Sequence, residues 1–379
     1  MQNLAYTRDV MGNLITRKDT SRKPDATYRN LTETFAYDAV NRLTRSSGIP
    51  GRADLTLAYN GLGNIANKSD MGNYVYGSSR PLAVTTAGGT TYNYDNNGSL
   101  VSDSARRTIT HSAANQLASA TKAGDCVTFE YDGNRNRFRR ADLSGSQTTT
   151  TLYVGGLEII TLPTGVVETK RYLGDAVLTT RSNGTSQEAY VLRDHLGSPN
   201  LIVDQNGQVL QNQSFDAFGQ RRDNLTWLPL TGTSLTAFDT SITKRGYTGH
   251  EGIDALGLIH MNGRVYDPKL GRFISADPTI AVPRPIRPRH TGPDASTGTS
   301  APHLVRGGFR LFSTGFAGRL IIRSLPRRNR CAVPPRGSRR TVPRRRPRWL
   351  RPPPEPRPPS RRHHSPAPVA AAATPRPDR

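Results

Sequence analysis

The sequence predicts an all-β fold made of repeated hairpins that stack edge to edge into one extended sheet. Three observations support this fold class: short alternating segments that end at an aromatic residue, turns rich in Asp, Asn and Gly after them, and almost no apolar periodicity of the helical kind. Because a long open sheet exposes edges that invite aggregation, we expect the sheet to curl, close or cover its edges.

A repeating unit occupies the first part of the chain. It joins a Tyr-Asp step to a short turn and a following Leu or Ile, and its clearest tyrosines are Tyr37, Tyr59, Tyr94 and Tyr131. A degenerate copy at 111–117 would bring the spacing to about 20 residues, the size of one supersecondary unit in a repeat array. In each unit a strand ends at the aromatic residue, and Asp, Asn and Gly supply the turn.

Further hairpins come after the repeat. The strongest signal is Asn206-Gly207, which separates the apolar residues 201–203 from residues 209–210. Asn183-Gly184 and Pro163-Thr164-Gly165 indicate two more turns between alternating segments. Residues 113–122 have the only helical tendency, and we expect a short helix there at most.

The number of cysteines and the length of the apolar runs limit the classes of protein to which this chain can belong. Cys126 and Cys331 are too few for a disulfide framework, and we expect two unpaired thiols rather than a bridge. No stretch approaches the ~20 apolar residues of a membrane helix, and residues 1–19 lack the apolar core of a secretory signal. The chain opens in the middle of the repeat pattern, so we expect it to be part of a longer protein.

Residues 281–379 have a different composition. They contain 23 Arg, no Lys, 3 acidic residues and 20 of the 28 prolines, and so carry nearly all of the net charge of +23. Because Pro denies ladder hydrogen bonds and like charges repel, we predict a disordered Arg/Pro-rich tail. An out-of-frame reading of GC-rich DNA would give the same composition. Sequencing the locus near the codon for Thr279 tests this hypothesis.

Two aspartates that precede proline are the candidate catalytic residues. Asp267 and Asp277 are both followed by Pro, and paired carboxylates can share a proton for acid–base work such as peptide cleavage. Arg264 is the candidate for orienting a carboxylate bidentately. The alternative is structural, because Asp-Pro also marks strand ends and arginines often form ion pairs.

Other candidate sites are weaker. His250-Glu251 lacks a second His at the metalloprotease spacing, so no metal is predicted. Asp194, His195 and Ser198 have the residue types of a catalytic triad, but adjacent strand residues point to opposite faces and a structural turn is favoured. The repeat tyrosines are more typical of cross-strand packing than of a carbohydrate-binding ladder. The Gly-rich stretches lack the strand–helix context of a phosphate loop, so no cofactor is predicted.

Residues 246–278 carry motifs that resemble a known family. GYTGHE at 246–251, RVYDP at 264–268 and GRFISADP at 271–278 are similar to the Rhs core-associated module. The Tyr-Asp units resemble the YD repeats of Rhs proteins, teneurins and the C component of insecticidal Tc toxins. The resemblance covers roughly residues 1–280 and none of the tail.

The resemblance implies a domain organisation and a role. Residues 1–240 would form a spiralling β-ribbon, here a partial shell, and residues 241–280 the core-associated domain that plugs one end. In the family the shell encloses a C-terminal toxin domain or serves as an extracellular scaffold, and in many members an aspartate-dependent self-cleavage frees the toxin. We therefore expect a non-enzymatic shell or scaffold fragment of a polymorphic toxin or cell-surface protein.

The same resemblance implies location and partners. We expect the chain to be secreted or exposed at the cell surface as part of a longer protein. Its partners would be its own upstream or downstream toxin polypeptide, together with secretion-system or cell-surface components.

The chain departs from the family pattern after Pro278. Thr279-Ile280 leads directly into Pro and Arg, and a second Asp-Pro-x-Gly motif is missing. Two alternative functions remain open. One is an autoproteolytic core that uses an aspartate near Asp277, and the other is nonspecific binding of polyanions through the tail by counterion release.

Overall fold

Twenty-one consecutive strands make up most of the molecule. The computed structural model describes residues 2–23, 27–236 and 238–276. The strands of the large sheet are β1 Leu4–Arg8, β2 Leu14–Asp19, β3 Leu31–Tyr37, β4 Leu43–Ser47, β5 Leu55–Tyr59, β6 Ile65–Lys68, β7 Gly72–Tyr76, β8 Val84–Ala87, β9 Thr90–Tyr94, β10 Leu100–Asp103, β11 Thr108–His111, β12 Leu117–Lys122, β13 Asp125–Tyr131, β14 Arg137–Ser144, β15 Gln147–Val154, β16 Leu157–Thr161, β17 Val167–Leu173, β18 Ala176–Arg181, β19 Ser186–Arg193, β20 Pro199–Val203 and β21 Val209–Asn212.

The strands are neighbours in space in the same order as in the sequence. Each pairs antiparallel with its predecessor and its successor, so a 21-stranded meander runs without a crossover from β1 to β21. The only α-helix of the described residues is the single turn α1 Thr233–Thr236. The predicted all-β ribbon of stacked hairpins is therefore confirmed.

One turn design explains the Tyr-Asp spacing. After β20, the backbone N–H groups of Asn206 and Gln208 both donate to Asp204 Oδ1 at 2.8 Å. Gly207, three residues after the aspartate, adopts φ 78°, the left-handed region that favours glycine. The same acceptor position recurs at Asp9, Asp38, Asn60, Asp95, Ser112, Asp132, Asp194 and Asp216.

The repeat tyrosines connect neighbouring units. The Tyr131 hydroxyl donates to the carbonyl of Leu117, the first residue of β12, at 2.9 Å. Tyr59 bonds in the same way to Leu43, the first residue of β4, at 2.7 Å. The equivalent bonds join Tyr37 to Leu14, Tyr76 to Ile65 and Tyr94 to Val84. The tyrosines thus pack across strands and tie each unit to the one before, as the structural interpretation predicted.

The expectation of a short helix at 113–122 is wrong. These residues form the turn after β11 and the whole of β12. Ser112 takes the place of the aspartate, and its Oγ accepts the N–H of Gln116 at 3.2 Å. Leu117 and Ala120 are buried on one side of the strand. The stretch is therefore a copy of the hairpin unit with Ser in place of Asp.

A second, smaller sheet comes after the ribbon. Its four antiparallel strands are β22 Glu251–Ile253, β23 Leu258–Met261, β24 Arg264–Asp267 and β25 Arg272–Phe273. Its apolar side chains Ile253, Leu258 and Val265 share one core with residues of β5 to β13. The small sheet with its flanking residues, 247–276, is here called the terminal module, and it therefore packs on the inner face of the ribbon.

The first hairpins contact the last ones through side chains. Gln2 donates to Asn200 on β20 at 2.7 Å, and the Tyr6 ring lies 4.6 Å from the His195 ring. Trp227 packs between Leu31 and Ile49 of the N-terminal hairpins in a separate buried cluster. The ribbon is therefore curled so that its beginning approaches its end.

Three further expectations concern the cysteines, the tail and membrane-spanning helices. Cys126 is buried on β13, and the expectation for the two cysteines stays a prediction. Cys331 and the predicted disorder of residues 281–379 lie outside the described residues. Within the described residues, no helix has the length and apolar character to cross a membrane.

Candidate functional site

The terminal module reaches the ribbon through an extended segment on the inner face. Ile242 begins this path, buried in a cluster with Val177, Val191 and Ile202 of β18, β19 and β20. Farther along, β22 to β25 lie against β5 to β13. The candidate site is this contact between module and ribbon, because it contains the predicted residue Asp267 and a group of buried ion pairs.

Glu251 is the centre of the contact. Its carboxylate accepts from Arg137 at 2.5 Å, from Arg140 at 3.2 Å and from the Tyr153 hydroxyl at 2.8 Å, all on β14 and β15. Burial alone would raise the pKa of Glu251, but Arg137 and Arg140 lower the pKa to about 2. Glu251 is therefore ionised at neutral pH and pins the first strand of the module to the ribbon.

His260 stands opposite Glu251 on the neighbouring strand. The Tyr131 hydroxyl already donates to Leu117, so it accepts the hydrogen of His260 Nε2 at 3.0 Å. Burial and the nearby Arg137 lower the pKa of His260 to about 3, so the ring is neutral at physiological pH. His260 acts as a packed, hydrogen-bonding core residue against Phe129. No group of metal-ligating side chains occurs among the described residues.

Asp267 is buried at the end of β24 in an ion pair. Arg107 Nη2 lies 2.7 Å from Asp267 Oδ2, and the same guanidinium also bonds Asp103. The other oxygen accepts the N–H of Leu270 at 2.9 Å. Burial alone would lower the pKa of Arg107, but Asp267 and Asp103 raise it. Asp267 thus holds the turn before β25 against the ribbon.

Arg264 lies apart from Asp267. Arg264 lies on β24 three positions before Asp267, so the two side chains leave opposite faces of the strand. The Arg264 guanidinium stacks 3.8 Å from the centroid of the Phe273 ring. Asp277 lies outside the described residues. Catalysis by Asp277, Asp267 and Arg264 therefore stays a prediction.

The triad-like residues form a turn. Asp194 Oδ1 accepts the backbone N–H groups of Leu196 and Ser198, both at 2.9 Å. Ser198 Oγ accepts the N–H of Thr248 in the module at 3.0 Å. His195 packs on Tyr6, and burial lowers its pKa to about 4. The turn interpretation of this motif is confirmed, and the turn also anchors the module.

A cavity of about 240 Å³ remains between the module and the ribbon. Its walls combine Thr90, Tyr92, Arg107 and Lys122 of the ribbon with His250 of the module. Arg107 already pairs with Asp103 and Asp267, so its charge is not free for a ligand in this cavity.

Sequence reasoning missed the buried charges of the ribbon. Glu33 is fully buried, and its carboxylate meets Arg17 at 2.5 Å and Arg222 at 2.9 Å. Lys170 is 3% exposed and points into the same interior. The signal in the sequence was the alternation of charged residues with Thr in strands such as β17, which is ordinarily interpreted as a solvent-facing pattern.

Sequence comparisons place the chain among YD-shell proteins. The sequence model of the Teneurin YD-shell family matches residues 2–290. The chain is 26% identical over 346 residues to toxin subunit YenC1 of Yersinia entomophaga, covering 74% of this chain and 34% of that protein. It is also 26% identical over 257 residues to the tRNA nuclease WapA of Bacillus subtilis, covering 64% of this chain and 10% of the nuclease. The chain spans about a third or less of these relatives.

Solved structures share the fold. A TcdB2–TccC3–Cdc42 complex matches with a TM-score of 0.54 at 17% identity, covering 73% of this chain and 16% of that chain. The Tc holotoxin pore of Photorhabdus luminescens matches with a TM-score of 0.54 at 18% identity, covering 75% of this chain and 16% of that chain. At these identities the likeness concerns the fold alone.

Proposed function

Because the chain belongs to the Teneurin YD-shell family, we propose that it is a non-enzymatic shell segment that holds its terminal module on the inner face of a curled ribbon. In the longer protein this shell would enclose or present a C-terminal variable domain. Its location would be outside the cell or at the cell surface, in a polymorphic toxin or a cell-surface protein. Its partners would be its own toxin polypeptide and the secretion or surface components that handle it.

One observation carries the proposal. Ile253, Leu258, Val265 and Ile274 of the module belong to the same apolar core as β5 to β13. The N–H of Leu100 on β10 donates to the carbonyl of Ile274 at 2.8 Å, two residues before the end of the described chain. The module is thus bound to the inner face as far as Ile274. This arrangement supports a scaffold that fixes where the polypeptide after the module begins.

Protease protection tests the shell. Trypsin has 16 arginines as targets in residues 281–379, because six of the 23 precede Pro and Arg379 is the last residue of the sequence. We expect brief digestion to remove those residues and leave a persistent fragment that ends near residue 280. Digestion of the ribbon at the same rate as the tail would contradict a compact shell and the predicted boundary.

Enclosure of a C-terminal domain by the shell can be tested separately. An unstructured reporter peptide with one protease site would replace residues 281–379, and a control fusion would carry the same peptide before Gln2. Enclosure predicts slower cleavage of the C-terminal peptide. Equal rates in the two fusions would overturn enclosure and leave the shell itself intact.

Self-cleavage is the alternative that the motif favours, since Asp277 lies in GRFISADP and Asp267 in RVYDP. The expected sign is a discrete body fragment on a denaturing gel after incubation of purified protein, abolished by Asp277→Asn. A single full-length band under all conditions would rule this alternative out.

Polyanion binding by the tail is the remaining alternative, motivated by its 23 arginines. Deleting residues 281–379 should then abolish retention on a nucleic-acid column at low salt. Unchanged retention would show that the tail is not responsible.

A further inference from the structure

Residues 241–246, here called the tether segment, connect the ribbon to the terminal module along the inner face. Lys170 Nζ on β17 donates to the carbonyls of Ser241 and Ile242, the second at 3.0 Å. These bonds engage the main chain and would be possible with any residue at the two positions. A buried ammonium therefore binds backbone carbonyls at the start of the segment.

Two glutamines continue the same pattern. Gln211 donates from Nε2 to the carbonyl of Thr243 at 3.1 Å and accepts the N–H of Thr243 at 3.2 Å. Gln213 donates to the carbonyl of Arg245 at 3.0 Å. The glutamines are two residues apart, and so are the peptide groups that they bind. The chain bends at Lys244, between the two bound peptide groups.

These three side chains belong to the interior. Lys170 is 3% exposed, Gln211 4% and Gln213 0%. Buried amides and ammonium groups are costly unless they are hydrogen-bonded. The tether segment supplies partners to all three side chains, while Arg221 also donates to Gln213 and Glu168 also pairs with Lys170.

Side chains of the tether segment add selectivity. Ile242 enters the apolar cluster of β18 to β20. Lys244 bonds Asp142 at 2.7 Å, and Arg245 bonds Glu158 at 3.0 Å. An apolar residue followed after one position by two basic residues therefore matches the surface beneath it.

From these contacts we propose that the inner face from β14 to β21 is a binding groove for a short, bent polypeptide segment, recognised first through its main chain by Lys170, Gln211 and Gln213. The tether segment is its occupant in this chain. The groove prefers an apolar residue followed after one position by two basic residues. It holds the module in place independently of the sequence that comes after the module. This inference does not depend on the proposed enclosure of a variable domain.

Trypsin provides the readout, because Lys244 and Arg245 are cleavage sites that the groove protects. Gln211→Leu with Gln213→Leu keeps the side-chain size and removes the main-chain bonds. We expect cleavage after residue 244 or 245, identified by mass spectrometry, to become at least tenfold faster, while cleavage after Arg135, which is exposed between β13 and β14, keeps its rate. The single variant Gln213→Leu should give a smaller increase, and it keeps the test possible if the double variant does not fold.

Two controls decide between a groove and general loosening. Val127→Ala weakens the core outside the groove and should accelerate all sites together. Thr243→Val keeps the main-chain bonds to Gln211 and removes only the Thr243 hydroxyl, which contacts the Tyr172 hydroxyl and accepts the N–H of Arg245, both at 3.0 Å, so its cleavage should accelerate clearly less than that of the double variant. A double variant that behaves like Val127→Ala, or a Thr243→Val variant released as fast as the double variant, would overturn main-chain recognition.

Discussion

At the residue scale, the interior of this ribbon is held by charges that are ionised and paired. Glu251 binds two arginines and a tyrosine, and Glu33 binds Arg17 and Arg222. Buried ions are stabilising only when their partners are present, and removing one partner leaves an uncompensated charge. Such clusters therefore fix where the module and the hairpins sit, even where their net contribution to stability is small.

Glu251→Gln should destabilise the protein by about 3 kcal/mol at pH 7, because Arg137 and Arg140 lose their ionised partner. The pKa of Glu251 is lowered from 4.5 to about 2, so this contribution is complete above about pH 4.5 and is lost as the pH falls toward 2. Urea unfolding at pH 7 and pH 3 should therefore show a smaller difference between parent and variant at pH 3.

Glu130→Gln is the matched control. Glu130 pairs with Arg139 on the outer face, with side chains 48% and 37% exposed, and such surface pairs contribute about 0–1 kcal/mol. If Glu251→Gln were as mild as Glu130→Gln at pH 7, the role assigned to Glu251 would be wrong.

Tyr131→Phe should cost about 2 kcal/mol. Its hydroxyl serves both the Leu117 carbonyl and His260 Nε2, and the variant leaves these buried groups without partners. Tyr190→Phe is the comparison, since the Tyr190 hydroxyl is exposed and reaches Glu188 only at 3.4 Å. Equal unfolding free energies for the two variants would contradict the connecting role of the repeat tyrosine.

At the element scale, the sequence predicted hairpins well because their turns are local. An acceptor side chain at the first turn position and Gly or Asn three residues later are sufficient, and both are visible in the chain. At 111–117, where a degenerate copy of the unit was expected, Ser112 supplies the turn acceptor, and the helix expected at 113–122 does not form. The helical tendency there was too weak to outweigh strand pairing on both sides.

The candidate site was only partly predictable. The motifs pointed to residues 246–278, and Asp267 does lie at the contact between module and ribbon. Its partner Arg107 is distant in the sequence and sits in an ordinary turn, so no local pattern indicates the pair. The roles of Gln211 and Gln213 could not be predicted either. Both bind main-chain atoms of another segment, and main-chain atoms are the same for every residue type.

Two glycines at the same turn position offer an element-scale test. Gly207 and Gly219 both adopt left-handed φ, 78° and 88°. A Cβ on Gly207 would meet nothing within 4 Å, so Gly207→Ala should cost about 1 kcal/mol from backbone strain alone. A Cβ on Gly219 would stand 2.5 Å from the Tyr247 ring of the module.

Gly219→Ala should therefore cost several kcal/mol more than Gly207→Ala in chemical unfolding, because overpacking adds to the same backbone strain. Similar costs would mean that Tyr247 moves aside freely and that this turn does not hold the module.

At the scale of the whole molecule, ribbon and module complete each other. The curl brings Glu33 on β3 to Arg222 beyond β21, and burial together with Arg17 lowers the pKa of Arg222 to about 9. The inner face of β5 to β13 is covered by the module, and that of β17 to β21 by the tether segment. A strand meander has only nearest-neighbour pairing, so these inner contacts are what join distant hairpins.

Removal of the module should therefore unfold more than the module. A chain that ends at residue 240 loses the partners of Val84, Leu100 and Ile109, which are at most 2% exposed in the complete protein. Because large apolar patches on a sheet face are unstable in water, we expect strong binding of a hydrophobic dye and a smaller denaturant m-value. A chain that ends at residue 280 keeps the module and should match the full protein in both measurements. If the chain ending at 240 unfolded cooperatively with an unchanged m-value, the ribbon would fold without the module. The module would then not be a necessary part of its core.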